Sequence, residues 1–208
     1  MNEIILKLYE FLTVLAPLMI FCIIRYKGYK QKGIDGMKSH FVLVFFFACY
    51  IFAVFYLTGA GTLFDLTMYG IEVSAGEVNL LPFSRDIDLT GYVLNILLFV
   101  PLGFILPVIS PRSGKLTYMV LFGFCFSLLI EISQLCNHRR TDVDDLIMNT
   151  IGAVIGYLLY AILNKIMKWN PKRNDYFKYE PVIYIIVMFA GRFLLFNEFG
   201  LVKILYHI

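Results

Sequence analysis

The chain has 208 residues, of which 60% are hydrophobic and 16% are charged, and its mean hydropathy is +0.76. A soluble globular domain is usually about 45–50% apolar, so this composition excludes one and predicts an all-α, polytopic transmembrane helical bundle. The net charge of +3 is too small to indicate a nucleic-acid partner. The four cysteines lack CxxC spacing and indicate neither a zinc site nor a disulfide framework.

The apolar runs predict about six membrane spans within a single membrane domain that covers residues 1–208. The spans are expected at residues 4–24, 41–60, 92–110, 116–136, 144–166 and 181–197. The first run lacks a basic start and a small-residue cleavage site, so we expect a retained helix and not a signal peptide. The sixth run is the weakest, because it is short and Arg192 interrupts it.

Lysine and arginine are unevenly distributed among the segments that connect the spans. The basic segments are residues 25–40, 111–115 and 165–180. In contrast, Arg85 is the only base in residues 61–90. The positive-inside rule places basic segments in the cytoplasm. The pattern therefore predicts that both termini, residues 61–90 and the loop 137–143 are external.

Polar residues occur just before the third span and one turn inside it. Asn79 and Arg85 belong to the predicted external loop, in which acids outnumber this single base. Arg85 either pairs with one of those acids or offers a fork of donors to a phosphate or carboxylate. Asn95 lies about one turn below the outer surface, and at this depth we expect it to line a site.

Glu131 and Gln134 share a face of the fourth span, close to its outer end. An ionisable group inside a membrane segment is by default a functional hypothesis, which makes Glu131 a candidate working acid or the counter-ion of Arg139 or Arg140. The structural alternative is an inter-helix hydrogen bond that holds the bundle together. The residues alone leave both interpretations open.

The start of the fifth span carries polar and small residues at intervals of three, four, three and four. This spacing places them on one face of a helix. These residues are Asp142, Asp145, Asn149, Gly152 and Gly156. Asp142 and Asp145 could simply cap the helix, but Asn149 lies one turn deeper, where capping cannot use it. The two glycines allow close approach of another helix, so this face should point into the protein and not into lipid.

These positions predict one outward-facing polar pocket. Its expected ligand-binding residues are Asn79, Arg85, Asn95, Glu131, Gln134, Arg139, Asp142, Asp145 and Asn149. Glu131, Asp142 and Asp145 are the candidates for any catalytic role. No cofactor or metal is expected, because the acids and the neighbouring arginines would neutralise one another.

Five motifs together resemble those of the VanZ-like family across residues 75–165. They are Asn79…Pro82-Phe83, Asn95…Phe99-x-Pro101-x-Gly103, Glu131-x-x-Gln134, Arg139-x-x-Asp142-x-x-Asp145 and Asn149-x-x-Gly152-x-x-x-Gly156. Each motif is weak alone, and the set is specific. Arg140 and Asp144 are interpreted as local variation beside the fourth motif.

The resemblance implies a protein of the bacterial cytoplasmic membrane that reduces susceptibility to lipoglycopeptide antibiotics such as teicoplanin. Its expected partners are membrane lipids, and with them a lipid-linked cell-wall precursor or the lipoglycopeptide. Two mechanisms remain open at this stage. The pocket either binds a ligand or modulates the membrane surface without catalysis, or it belongs to an intramembrane enzyme that acts on an outer-leaflet lipid or lipid-linked precursor.

Overall fold

The computed structural model describes residues 2–31, 37–70, 76–84, 88–110, 114–167 and 179–206. Its helices are α1 (Asn2–Gln31), α2 (Met37–Thr58), α3 (Leu63–Tyr69), α4 (Leu89–Ile109), α5 (Leu116–Gln134), α6 (Val143–Met167), α7 (Glu180–Leu195) and α8 (Glu198–Tyr206). A 3-10 turn, Leu135–Asn137, follows α5. Two short strands, β1 (Val78–Asn79) and β2 (Thr141–Asp142), precede α4 and α6 respectively. The prediction of an all-α transmembrane bundle is confirmed.

Five spans of the described chain are long and apolar enough to cross a membrane, and they contain α1, α2, α4, α5 and α6. Helices α7 and α8 count as a sixth span only if they are taken together, since they meet at a bend of 46°. The bend follows from Asn197, whose side-chain oxygen accepts a hydrogen bond from the Gly200 amide at 2.8 Å and so starts a new helix. The predicted weakness of the sixth span therefore has a local cause.

The helices form two compact units. The terminal unit comprises Met1–Ile71 and Val182–Ile208, and the central unit comprises Glu72–Pro181. The single membrane domain stays a prediction. Within the terminal unit, α1 packs against α2 around fully buried side chains such as Leu18 and Phe47.

Arg192, which interrupts the sixth apolar run, is buried in the terminal unit with its charge satisfied. Its Nε and Nη2 atoms each lie 2.9 Å from Oε1 of Glu10, a residue of α1 that is also buried. Its Nη1 atom donates to the carbonyl oxygen of Ala60. The guanidinium also lies over the rings of Phe55 and Phe196. Ion pairing, hydrogen bonding and cation–π contact together explain how this arginine is accommodated.

In the central unit, glycines bring the backbones of α4 and α6 into direct contact. A Cβ atom on Gly156 would lie 1.9 Å from the carbonyl oxygen of Val100, and one on Gly152 would lie 2.2 Å from that of Ile96. Gly103 makes an equally close approach from the α4 side. No side chain fits at such distances, so the predicted close packing of this glycine face against another helix is confirmed, and α4 is that helix.

Candidate functional site

A short parallel strand pair joins the segment before α4 to the start of α6 in the central unit. Val78 pairs with Thr141, and Asn79 pairs with Asp142. The Thr141 amide also donates to the carbonyl oxygen of Glu77 at 2.8 Å. Two segments more than sixty residues apart in sequence are thereby fixed side by side.

The side chain of Asn79 reinforces this junction. Its Nδ2 atom lies 3.2 Å and 3.1 Å from the two carboxylate oxygens of Asp142. Its Oδ1 atom accepts hydrogen bonds from the Leu81 amide at 3.2 Å and from the Ser84 hydroxyl at 3.0 Å. The predicted site residue Asn79 therefore shapes the turn and holds one of the aspartates.

Asp144 connects the start of α6 to the turn and to α4. Its Oδ1 atom accepts the amide of Phe83 at 2.9 Å, and its Oδ2 atom accepts the Tyr92 hydroxyl at 2.6 Å. Phe83 has a φ of 55°, a left-handed conformation that is uncommon for a bulky residue, and this hydrogen bond holds it. Asp144, interpreted from the sequence as local variation beside the motif, is thus a buried carboxylate that joins three segments.

Asp142 combines a capping role with a contact to α5. Its Oδ1 atom accepts the Asp144 amide at 3.0 Å, as expected for a residue that caps the first turn of α6. Its own amide donates to Oε2 of Glu131 at 3.1 Å. The Thr141 hydroxyl donates to the backbone oxygen of Glu131 at 3.1 Å. Glu131, only 4% exposed, thus lies directly behind the acidic start of α6.

Asp145 lies on the face of α6 next to that of Asp144, because consecutive helical residues point about 100° apart. Its Oδ1 atom accepts a hydrogen bond from Nδ2 of Asn95 at 2.6 Å. Asn95, a predicted site residue, therefore contacts Asp145 from α4. Neighbouring aspartates bind different α4 side chains, Tyr92 and Asn95.

These groups surround a polar cavity of about 640 Å³. Its walls are formed by Ser84, Asp88, Gly91, Tyr92, Arg140, Asp142, Asp144 and Asp145. Four of the eight wall residues are aspartates, and Arg140 is the one cationic residue of the described wall. A cavity of this size is within the usual range for small-molecule sites, about 300–1,000 Å³.

Six of the predicted ligand-binding residues that the structure describes do not line this cavity. Asn79, Asn95 and Glu131 lie behind its wall, where each forms a hydrogen bond with Asp142 or Asp145. The other three are Asn149, Gln134 and Arg139. Asn149 is buried and donates to the Ser127 hydroxyl at 2.9 Å, so it links α6 to α5. Gln134 is buried near the end of α5, where its backbone oxygen accepts the Arg139 amide at 3.1 Å. The side chain of Arg139 is exposed, and no ion pair within 4.0 Å joins it to Glu131 in the described structure. The prediction that Asn149 and Arg139 line the pocket is therefore corrected. Helix α6 turns Asn149 towards α5. The loop presents Arg140 to the cavity in place of Arg139.

Arg85 lies outside the described residues. A pair that the sequence did not reveal is His138 with Glu77, whose Nδ1 and Oε1 atoms are 3.0 Å apart. His138 has a left-handed φ of 54°, and it lies in the loop that leads to Arg140. Within the described ranges, no group of three or more His, Cys, Asp or Glu side chains has an arrangement that could hold a metal ion.

The long apolar helices and the acidic cavity define a multi-pass membrane protein with a polar, ligand-sized site. The family model VanZ/LLP1 matches residues 41–164, more than half of the sequence, and the chain belongs to this family. The resemblance inferred from the motifs is confirmed. All eight residues that line the cavity fall within the matched segment.

The chain is also similar to Protein VanZ of Enterococcus faecium, with 34% identity over 100 residues. The match covers 48% of this chain and 60% of that relative, which is less than two thirds of its length. No solved structure matches the chain.

Proposed function

We propose that this protein reduces susceptibility to lipoglycopeptide antibiotics such as teicoplanin, and that its acidic cavity binds a polar group of a ligand at the outer surface of a bacterial cytoplasmic membrane. The observation that carries the proposal is that the family-matched segment by itself builds the cavity, from Ser84 to Asp145. The ligand is a membrane lipid, a lipid-linked cell-wall precursor or the antibiotic. Binding or modulation of the membrane surface, without catalysis, is the mechanism that we favour.

The hydrogen bonds of the wall aspartates favour binding over catalysis. A general acid or base must exchange a proton with its substrate within hydrogen-bonding reach. Asp142 already accepts from Asn79 and from a backbone amide, and Asp144 accepts from Phe83 and Tyr92. These carboxylates hold the fold of the site. The enzyme alternative would then depend on Asp145, whose Oδ2 atom faces no described hydrogen-bond donor, or on Glu131 behind the wall.

The charges of the wall define the ligand chemistry. Four aspartates attract an ammonium group, whereas the guanidinium of Arg140 binds a phosphate or carboxylate oxygen. A ligand with both kinds of group, as in a zwitterionic headgroup, complements the cavity better than a ligand with a single negative charge.

The outward orientation rests on the distribution of lysine and arginine, and thiol labelling tests it. In a cysteine-free background, Arg139→Cys should react with a membrane-impermeant reagent in intact cells, and Lys30→Cys should react only after permeabilisation. The opposite labelling pattern would contradict an external cavity.

The function itself is tested by expressing the chain in a teicoplanin-susceptible bacterium. We expect the minimal inhibitory concentration of teicoplanin to rise more than that of a glycopeptide without a lipid tail. Mass spectrometry of membrane lipids, wall precursors and recovered drug should find no chemical modification that depends on the chain. A modified lipid, precursor or drug would favour the enzyme alternative, and unchanged susceptibility would contradict the proposal.

A further inference from the structure

A second cavity, of about 580 Å³, lies between α1 and α2 in the terminal unit, far in sequence from the acidic site. Helix α1 contributes Leu18, Met19, Cys22, Ile23 and Tyr26, which recur at helical spacing on one face. Helix α2 contributes five more side chains between residues 41 and 46, all apolar. We call this cavity the α1–α2 groove.

Several side chains that line the groove are exposed at the surface of the helices. Ile23 is 51% exposed and Phe46 is 62% exposed, although both form its walls. Both helices belong to spans that are long and apolar enough to cross a membrane. In that setting the exposed side chains face lipid, and lipid hydrocarbon chains can contact the groove.

Two lysines of α1 lie beyond the apolar residues at one end of the groove. Lys27 follows Ile23 by four residues, and Lys30 follows Tyr26 by four residues, so both lie on the groove face of α1. Both lysine side chains are exposed. An apolar groove that ends in two cations complements an amphiphile with a hydrocarbon tail and an anionic headgroup.

We propose that the α1–α2 groove binds one acyl chain of an anionic phospholipid, whose headgroup phosphate lies against Lys27 and Lys30. The lysine-rich end of α1 is predicted to be cytoplasmic, and the cytoplasmic leaflet is the one that carries most anionic lipid. The site is independent of the acidic cavity, with which it shares no residue.

Quenching by brominated lipid tests the proposal on the full chain in phosphatidylcholine vesicles. A reporter is made by Phe45→Trp in a Trp169→Phe background, which removes the chain's single native tryptophan. Phe45 lines the groove, and its ring is already 40% exposed. Dibrominated phosphatidylglycerol should quench the reporter several-fold more strongly than dibrominated phosphatidylcholine at the same mole fraction.

The lysines are tested by comparing two double variants that each lose two positive charges. The variant Lys27→Gln/Lys30→Gln should lose its preference for phosphatidylglycerol. Each lysine near the membrane surface favours anionic lipid by about fivefold, and this variant lacks both. In Lys7→Gln/Lys203→Gln the preference should persist, because Lys7 lies about 30 Å from Lys27 along the same helix. Equal quenching by both lipids, or a preference that survives loss of Lys27 and Lys30, would overturn the proposal. Absence of quenching by either lipid would overturn it too, since protein would then cover the groove.

Discussion

The two compact units hold their charged residues in contrasting ways. In the terminal unit, Arg192 and Glu10 are each 5% exposed and neutralise one another at 2.9 Å. A carbonyl oxygen and two aromatic rings complete the surroundings of the guanidinium. The pair therefore acts as a structural link between α1 and α7.

In the central unit, negative charges converge without an equal number of positive ones. Neutral donors, among them Asn79, Tyr92 and Asn95, hold the aspartates, which face a cavity with Arg140 on its wall. Several carboxylates in one place repel each other and are expensive near a membrane. Stability alone does not explain this cluster. The contrast suggests that the first set of charges holds the fold and that the second serves a ligand.

The largest loss of stability is expected from breaking the ion pair between Arg192 and Glu10. Arg192→Gln or Glu10→Gln leaves one buried charge without its partner, at a cost of about 3–5 kcal/mol. Thermal unfolding in detergent and size-exclusion profiles should reveal a severe loss of folded protein. Lys7→Gln removes an exposed charge from the same helix, together with a cation–π contact to Tyr56, and should cost no more than about 1 kcal/mol.

The double substitution Glu10→Gln/Arg192→Gln sharpens this test. Since neither charge is then left alone, its loss of stability should be smaller than the sum of the two single losses. Additive losses would indicate that the two side chains act independently and would contradict the structural role of the pair.

A smaller loss of stability is expected from adding one methyl group between α4 and α6. The Cβ atom of Gly156→Ala would meet the carbonyl oxygen of Val100, and overpacking of this kind usually costs about 1–3 kcal/mol. Gly28→Ala is the matched control, because no described atom outside its own helix lies within 4 Å of the added Cβ. Removing a helical glycine there should stabilise α1 slightly, by up to about 1 kcal/mol. Equal melting temperatures for the two variants would refute the close packing of α4 on α6.

Removing the hydroxyl that holds Asp144 should lower stability by a comparable amount. Tyr92→Phe removes a donor to a buried carboxylate, with an expected loss of about 1–3 kcal/mol. Tyr157→Phe removes a hydrogen bond to the neutral carbonyl oxygen of Gly114, so its loss should be nearer to about 0.5–1 kcal/mol. Denaturation of both purified variants measures the difference. A Tyr157 variant that is the less stable of the two would argue against the role of Asp144.

Helix positions and the glycine face could be predicted because both depend on local periodicity. Apolar runs reveal membrane spans, and the spacing of Gly152 and Gly156 reveals a packing face whatever the partner helix is. The contacts of Asp144 could not be predicted in this way, because its partner Tyr92 is 52 residues distant. Helical spacing favoured Asp145 over Asp144, and it gave no sign of the distant tyrosine that holds Asp144.

The choice between adjacent arginines has a similar explanation. Arg139 and Arg140 follow the left-handed residue His138 in a loop without helical periodicity. Side-chain direction in such a loop depends on backbone angles and on distant contacts, here the pair of His138 with Glu77. The motif spacing favoured Arg139, whereas the structure presents Arg140 to the cavity.

Those two arginines also provide the most direct test of the central claim, that the acidic cavity carries the function. Arg139→Gln and Arg140→Gln make the same chemical change at adjacent, exposed positions, so both variants should reach wild-type levels in the membrane. Teicoplanin susceptibility of cells that express each variant is the measurement. The Arg140 variant should lose most of the protection, and the Arg139 variant should retain it. Full protection by a well-expressed Arg140→Gln variant would contradict a role for the cavity.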